Sequence, residues 1–155
     1  MDERFEQLRA AYPTFSGDYT PPWGLAAATD FAYLAKRYGC HYPPSFIRFQ
    51  TYWAAVLPPP DNAFRWANVN LEPYLSIEHA ILDARQMSVP AHFAPFWSDE
   101  GNFTCFDTAS PDLEGEFPVE FWDHEGGSGR EASDFIDWLN LKYRQWLAAR
   151  RRRRE

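Results

Sequence analysis

Apolar residues spaced three and four positions apart predict helices through the first half of the chain. The repeats fall within residues 5–12, 24–39, 41–56 and 76–86. Gly39 is a natural stop for the second of these helices, and prolines near the start of the third suit a first helical turn. Ser76 is a suitable cap for the fourth. The first half is therefore predicted to be mainly helical.

From Pro90 onward the apolar residues no longer follow helical spacing, and their pattern predicts strands. Two apolar runs, 92–97 and 102–107, flank Ser-Asp-Glu-Gly, which is a hairpin signal, and residues 117–123 predict a further strand. Helical spacing returns in the last segment, where Ser128 and Glu131 fit a capping box.

A short strand is also predicted over residues 63–71, with 64–70 in the sheet. The order of elements predicts an α+β fold, with a mainly antiparallel sheet of about four to six strands flanked by helices. We expect a single domain over residues 1–155, with a core at about 24–147 and a basic tail at 148–155. The apolar faces place these residues in the interior: Trp53, Phe103, Phe121, Phe135 and Leu139.

Composition narrows the class of protein. A chain of 155 residues is long enough to bury a core without disulfides, and its 18% aromatic content predicts packing by large rings. Cys40 and Cys105 are too few for a disulfide framework. No apolar stretch is long enough to cross a membrane, and the start of the chain has no signal-peptide core. We therefore expect a cytoplasmic protein.

Charge is unevenly distributed along the chain. The formal net charge is −7, and Arg150 to Glu155 contribute +4, so that residues 1–149 carry −11. No lysine or arginine lies between Arg85 and Arg130, a stretch that contains nine acidic residues. Such a surface repels nucleic acid and favours a basic partner, although simple solvation explains the charge equally well.

The sequence Asp123-His124-Glu125 suggests metal binding or acid–base chemistry. Neighbouring residues of a strand point to opposite faces, so three consecutive side chains do not converge on one ion. None of the other histidines forms a recognisable ligand motif with them; these are His41, His79 and His92. We expect neither a metal nor a cofactor, and interpret the cluster as the end of a strand before the last helix.

Two further features of the sequence suggest chemistry. A neighbouring strand would bring His124 to activate the thiol of Cys105, but nothing around Cys105 indicates a nucleophile, and a buried strand cysteine is the commoner case. The arginine run, residues 150–154, follows a helix and is expected to be a solvated, frayed extension able to fold back on the acidic stretch.

The order of the motifs carries more information than any one of them. A helix, a Gly turn, Tyr-Pro and an aromatic helix are followed by a hairpin with Gly-Asn-Phe, a strand with Asp-His-Glu and a Ser-Phe helix. The positions are Gly39, Tyr42, Pro43, Phe46, Phe49, Gly101, Asn102, Phe103, Asp107, Trp122, Asp123, His124, Glu125, Ser133, Phe135 and Leu139. Over about residues 24–140 this order resembles the SUKH superfamily, which includes Smi/Knr-type yeast cell-wall regulators and many bacterial toxin-immunity proteins.

The resemblance implies binding rather than catalysis. It implies structural roles for the motif residues, with Gly101 turning the hairpin. Its bacterial members imply an immunity protein that neutralises a cognate toxin, and the acidic stretch favours a basic one, such as a nuclease. The residues expected to contact that partner are Asp99, Glu100, Asp112, Glu114, Glu116 and Glu120.

Two other functions stay open at this point. One is a regulatory or scaffold module with a cellular partner, and the other is a hydrolase or metalloenzyme that uses His124 with Asp123, Glu125 or Cys105. For the leading interpretation we expect a monomer or weak dimer, with no nucleic acid and no membrane as partner.

Overall fold

The computed structural model describes residues 1–15, 17 and 21–155. In this part of the chain, five α-helices surround a four-stranded sheet. The helices are α1 (Asp2–Ala11), α2 (Ala28–Tyr38), α3 (Pro44–Thr51), α4 (Ile77–Gln86) and α5 (Phe135–Arg154). The strands are β1 (Phe93–Asp99), β2 (Asn102–Asp107), β3 (Val119–Trp122) and β4 (Ser128–Ala132). The predicted α+β class and antiparallel sheet are confirmed.

The helix ends follow the signals in the sequence. Gly39 adopts a left-handed conformation, with φ of 67°, directly after α2. Pro44 occupies the first position of α3, where the missing N–H costs no hydrogen bond. The Ser76 hydroxyl accepts a hydrogen bond from the Glu78 N–H at 3.1 Å and caps α4. Local chemistry therefore sets these three boundaries.

The four strands form a meander in the order β1-β2-β3-β4, with every neighbouring pair antiparallel. One face of the sheet, with Phe96 and Phe106, packs against the aromatic residues of α3 and α5. The other face, with Phe103 and Cys105, packs against Ala84 of α4. The sheet thus lies between two helical layers.

The β1–β2 hairpin has a two-residue turn of the type that matches strand twist. Glu100 and Gly101 have φ values of 51° and 83°, and the strands pair from Asp99 and Asn102 onward. Positive φ at both central residues is the requirement of a type I′ turn. The predicted hairpin is confirmed, and Gly101 occupies a position that suits glycine.

Two predicted elements differ from the structure. Residues 63–71 form no strand; Phe64 and Trp66 make only isolated bridges, to Trp97 and Ser76. Their side chains are buried, but no neighbouring segment offers them a continuous ladder. The apolar residues in segment 63–71 are therefore explained by burial in the core and not by strand pairing.

The start of the last helix was also predicted too early. Residues 128–132 form β4, and α5 begins at Phe135, where the Asp134 carboxylate accepts from the Asp137 N–H at 2.9 Å. Glu131 accepts instead from the indole N–H of Trp138 at 2.8 Å. β4 is an exposed edge strand without apolar alternation, so the sequence contained no strand signal there.

The interior is dominated by aromatic rings. Trp53, Phe103, Phe135 and Leu139 are buried, as predicted. Phe121 on β3 is only half-buried. Its cross-strand partner on β4 is Gly129, which has no side chain to cover the ring. Residues of α1, such as Phe5 and Leu8, also lie in the core, so the buried interior begins before residue 24. The single-domain organisation stays a prediction.

Replacing Gly101 should destabilise the protein. An added Cβ would meet Met87 Cε at 3.4 Å and His124 at 3.5 Å, which are ordinary contacts, so the cost comes from the positive φ. We expect Gly101→Ala to lower the free energy of unfolding by about 1–2 kcal/mol in urea titrations. Gly129→Ala is the control, because that glycine has open space and no positive φ. Equal effects of the two substitutions would contradict the turn assignment.

Candidate functional site

The acidic residues of the central stretch divide between the two ends of the sheet. Phe103 pairs with Trp122, so the β1–β2 turn and the β3–β4 loop lie at the same end. We call this the tip end; its acids are Asp99, Glu100, Asp123 and Glu125. The opposite end, here the loop end, is formed by the β2–β3 connection, residues 108–118. At ~3.4 Å per residue, the length of β2 separates the two ends by roughly 15–20 Å.

The Asp-His-Glu segment forms the β3–β4 loop and does not lead directly into the last helix. The Asp123 N–H donates to the Gly127 carbonyl at 3.1 Å, and the Asp123 carboxylate accepts from the Glu125 N–H at 2.9 Å. We expected this segment to end a strand directly before the final helix, and that expectation is wrong. The segment closes a hairpin whose second strand is β4.

His124 ties the two hairpins together at the tip end. Its backbone N–H donates to the Asn102 side-chain oxygen at 3.2 Å, and its ring Nδ1 lies 2.8 Å from the same oxygen. Nδ1 therefore carries the proton in this contact, since the amide oxygen only accepts. The motif identified His124 and Asn102 but did not indicate that they contact each other.

The geometry around His124 does not match a metal site. The two carboxylates approach different nitrogens of the ring: Asp123 Oδ1 lies 3.7 Å from Nδ1, which already contacts Asn102, and Glu125 Oε1 lies 3.9 Å from Nε2, so they do not gather around one nitrogen that could bind an ion. Asp123 is already engaged by the loop backbone. Among residues 1–15, 17 and 21–155, no group of three or more His, Cys, Asp or Glu is placed to hold a metal ion.

The structure does not bring Cys105 and His124 together. Cys105 is fully buried in β2 opposite Glu120, whereas His124 lies beyond the end of β3 at the tip end. Burial raises the pKa of the Cys105 thiol far above its ordinary value, which disfavours the thiolate. Cys40 is buried as well, and burial raises the pKa of its thiol. Arg85 lies beside Cys40 and opposes the rise, but burial outweighs it, and neither thiol is exposed as a nucleophile would be.

At the loop end, Glu116 anchors the β2–β3 connection to α3. Its side chain is buried, with the residue only 6% exposed, and its carboxylate accepts from the N–H of Ser45 at 3.0 Å and from the Ser45 hydroxyl. Burial raises the pKa of Glu116, and the two hydrogen bonds from Ser45 offset part of that rise. Glu116 thus fastens the loop and is not a surface acid.

The remaining acids expected to meet a partner have different surroundings. Asp99 and Glu100 are exposed at the tip end, and Glu114 is exposed at the loop end. Asp112 is exposed too, but one of its oxygens accepts from the N–H groups of Glu114 and Glu116 at 2.8 and 2.9 Å. The Glu120 side chain is 13% exposed and pairs with Arg130 at 3.3 Å. The expectation that these acids lie at the surface is therefore wrong for Glu116, and the side chain of Glu120 is exposed only to a small extent.

The other motif residues occupy structural positions. Pro43 precedes α3 in extended conformation, and Phe135 starts α5 with its ring fully buried. The Asp107 carboxylate accepts from the Ala109 N–H at 3.1 Å where β2 ends. Trp122 packs beside Phe103 on the α4 side of the sheet, with ring centroids 6.0 Å apart.

A second surface was not predicted from the sequence. On α2 and α4, the guanidinium groups of Arg37 and Arg85 lie 5.8 and 5.4 Å from the ring centroid of Tyr38. Tyr33, 39% exposed, and Lys36 lie on the same side of α2. The contact needs two helices that are distant in sequence, so helical periodicity alone does not reveal it.

Comparison with solved structures supports the fold. A crystal structure described as "protein from Pseudomonas syringae pv. tomato" superimposes with a TM-score of 0.61, at 16% identity, over 89% of this chain and 94% of that chain. No curated protein matches the chain significantly. Within the described residues, no helix has the length and apolar character needed to cross a membrane.

A family model and the order of the motifs together place the chain among SUKH proteins. The family model SUKH_5, described as "SMI1-KNR4 cell-wall", matches residues 1–144, and the chain belongs to this family. The predicted resemblance is confirmed. The match begins at residue 1 and so includes α1, further than the motifs alone extended.

The stability of the protein should depend on pH through Glu116. The pKa of Glu116 is raised above its ordinary value of 4.5, so folding disfavours the charged carboxylate. The contribution of Glu116 to the free energy of unfolding is therefore fully present at low pH, where the carboxyl is protonated, and is lost as the pH rises through its pKa in the folded state. Between about pH 4 and 7, wild type should therefore lose stability relative to Glu116→Gln in urea titrations. Glu114→Gln, at an exposed position, is the control and should track wild type. A parallel pH profile for all three proteins would refute this role.

Metal content provides a direct test of the tip end. We expect elemental analysis of protein purified without chelators to find no stoichiometric zinc or manganese, because the ring nitrogens of His124 and the carboxylates do not converge. His124→Ala should leave the metal content unchanged. Stoichiometric metal that disappears in this variant would overturn the interpretation.

Proposed function

We propose that this protein is a non-enzymatic immunity protein that binds and neutralises a cognate protein toxin in the cytoplasm. The SUKH family, to which the chain belongs, includes toxin-immunity proteins. The observation that carries the proposal is the tip end, where the turns of two hairpins present exposed carboxylates; the half-buried guanidinium of Arg65, bonded to Ser98, offsets part of the negative charge beside Asp99.

The charge of the tip end favours one kind of partner. The carboxylates of Asp99, Glu100 and Glu125 project from turns whose backbone is fixed by the type I′ geometry and by the contact between His124 and Asn102. Fixed charges of one sign speed the encounter with a partner of opposite sign. A toxin with a basic substrate cleft, such as a nuclease, fits this surface best, with the protein acting as a monomer or weak dimer.

A stoichiometric role is consistent with the chemistry of the reactive side chains. Cys105 is buried with a raised pKa, and His124 is held by Asn102 at the surface. A hydrolase would need a nucleophile and base within hydrogen-bonding reach of each other. The two candidate residues do not form that arrangement in the structure.

The α2–α4 surface favours a second candidate function, a regulatory or scaffold module with a cellular partner. Tyrosine and arginine supply many binding hot spots, and Tyr33, Arg37, Tyr38 and Arg85 cluster there. A basic surface of this kind suits an acidic partner. The identity of the neighbouring gene distinguishes the two candidate functions, because a toxin gene next to the gene of this protein would support the immunity function.

Charge reversal at the tip end should slow association with the toxin. The variant Asp99→Lys/Glu100→Lys/Glu125→Lys changes exposed residues only. With the product of the adjacent gene as partner, we expect its association rate at low salt to fall on the order of tenfold or more, and the difference to shrink as salt rises. Stopped-flow or surface-based kinetics at several salt concentrations measure this.

The control matches the charge change elsewhere. Glu3→Lys/Glu6→Lys/Glu72→Lys alters net charge equally at exposed positions outside the sheet. It should keep most of the wild-type rate. An acidic partner, or equal slowing by the two triple variants, would show that the tip end is only a solubility feature.

A further inference from the structure

The arginine run, residues 150–154, continues α5 as helix instead of forming the frayed extension expected from the sequence. Its first member is fixed: the Arg150 guanidinium lies 4.9 Å from the Phe15 ring centroid and 5.1 Å from that of Trp146. These two rings stack with centroids 4.5 Å apart. The run therefore starts from a rigid base of aromatic and cationic contacts.

The later arginines lie in solvent. Arg151 to Arg154 are all exposed, and no ion pair joins any of them to an acid among the described residues. The expected return of this segment onto the acidic stretch is not seen. The run is thus a concentrated positive charge beside a body of net negative charge.

The like charges repel one another along the helix. Arg150 is three and four residues from Arg153 and Arg154, and Arg151 is three residues from Arg154. Each such pair destabilises the helix slightly, and the negative end of the helix dipole relieves this only in part. A polyanion would remove the repulsion, so the run is poised to bind one.

The geometry points to one class of polyanion, and we propose that the arginine run binds the phosphate backbone of nucleic acid. Successive helical residues are turned by ~100°, so five consecutive arginines surround the helix axis. The forked guanidinium group pairs well with phosphate oxygens. A nucleic-acid strand supplies phosphates along a path that follows such a charged rod.

A membrane surface fits less well. A helix that lies on a membrane needs a free apolar face. The apolar residues that precede the run, Trp146 and Leu147, pack against the core. The run itself has only arginines to offer, so nothing remains for insertion between lipids.

The acidic body limits the affinity without abolishing it. From Leu147, packed on the core, to Arg154 the helix rises ~10 Å, which is about one Debye length at 0.1 M salt. The repulsion from the body is therefore reduced at the outermost arginine at this salt concentration, and it grows toward the start of the run and at lower salt. This site goes beyond the proposed immunity function. It conflicts with the expectation from the sequence that nucleic acid is not a partner, because that expectation considered only the acidic stretch. The family match ends at residue 144, before the run.

Fluorescence anisotropy of the full chain with a labelled DNA duplex of about 20 base pairs tests the proposal, with a single-stranded RNA as second arm. Binding should appear at about 25 mM salt and weaken steeply, with a log–log salt slope of up to about −4.5 for duplex and about −3.5 for the single strand. Arg152→Gln/Arg153→Gln should make the duplex slope shallower by about 2. Both residues are exposed, so thermal unfolding should stay unchanged.

Arg9→Gln/Arg130→Gln is the matched control, since it removes the same charge from exposed positions on α1 and β4, outside both the run and the α2–α4 surface, and should leave nucleic-acid binding unchanged. The proposal fails if neither nucleic acid binds at about 25 mM salt. It also fails if the control weakens binding as much as the Arg152/Arg153 variant. Binding through the run to vesicles of anionic lipid or to polyglutamate, with no binding to duplex or RNA, would reassign it to a lipid or protein partner.

Discussion

The packing of aromatic rings around Phe46 holds the helical layer to the sheet, and the rest of the structure depends on it. Phe46 is fully buried on α3. Its ring lies within 5.1–6.0 Å, centroid to centroid, of rings from α2, the α2–α3 turn, the segment before α4, two strands and α5, namely Phe31, Tyr42, Phe64, Phe96, Phe106 and Phe135. Such pairs contribute about 0.5–1.5 kcal/mol each beyond the area they bury. One residue thus joins elements from most of the sequence.

This core fixes the sheet, and the sheet determines where charge appears on the surface. Because the meander is antiparallel, turns alternate between its ends, and the acids of residues 99–125 follow them. Glu116 reinforces the arrangement by tying the loop end to Ser45 at the start of α3. What looked like one acidic stretch in the sequence is therefore two acidic ends, and a flat partner surface meets one of them at a time.

The sequence revealed those elements whose local chemistry decides their structure. Gly39, Ser76 and the Glu100–Gly101 turn all behave as their residue types predict. β4 was missed because an exposed edge strand is stabilised by backbone pairing with β3 and carries no apolar alternation.

The candidate site was less predictable, for a similar reason. Glu116 and Ser45 are 71 residues apart, and only the folded core brings them together. His124 and Asn102 were recognised as motif residues, but their contact depends on strand register. Charge alone was visible in the sequence, whereas burial decided which acids remain at the surface.

We propose that the core presents the tip end as a preformed binding surface for a basic protein. Amide hydrogen exchange of the protein, free and in complex with the product of the adjacent gene, tests it most directly. We expect added protection in the turns at residues 99–102 and 123–127, with little change in the slow exchange of α3 and β2. Protection confined to α2 and α4, with the two turns unaffected, would contradict it.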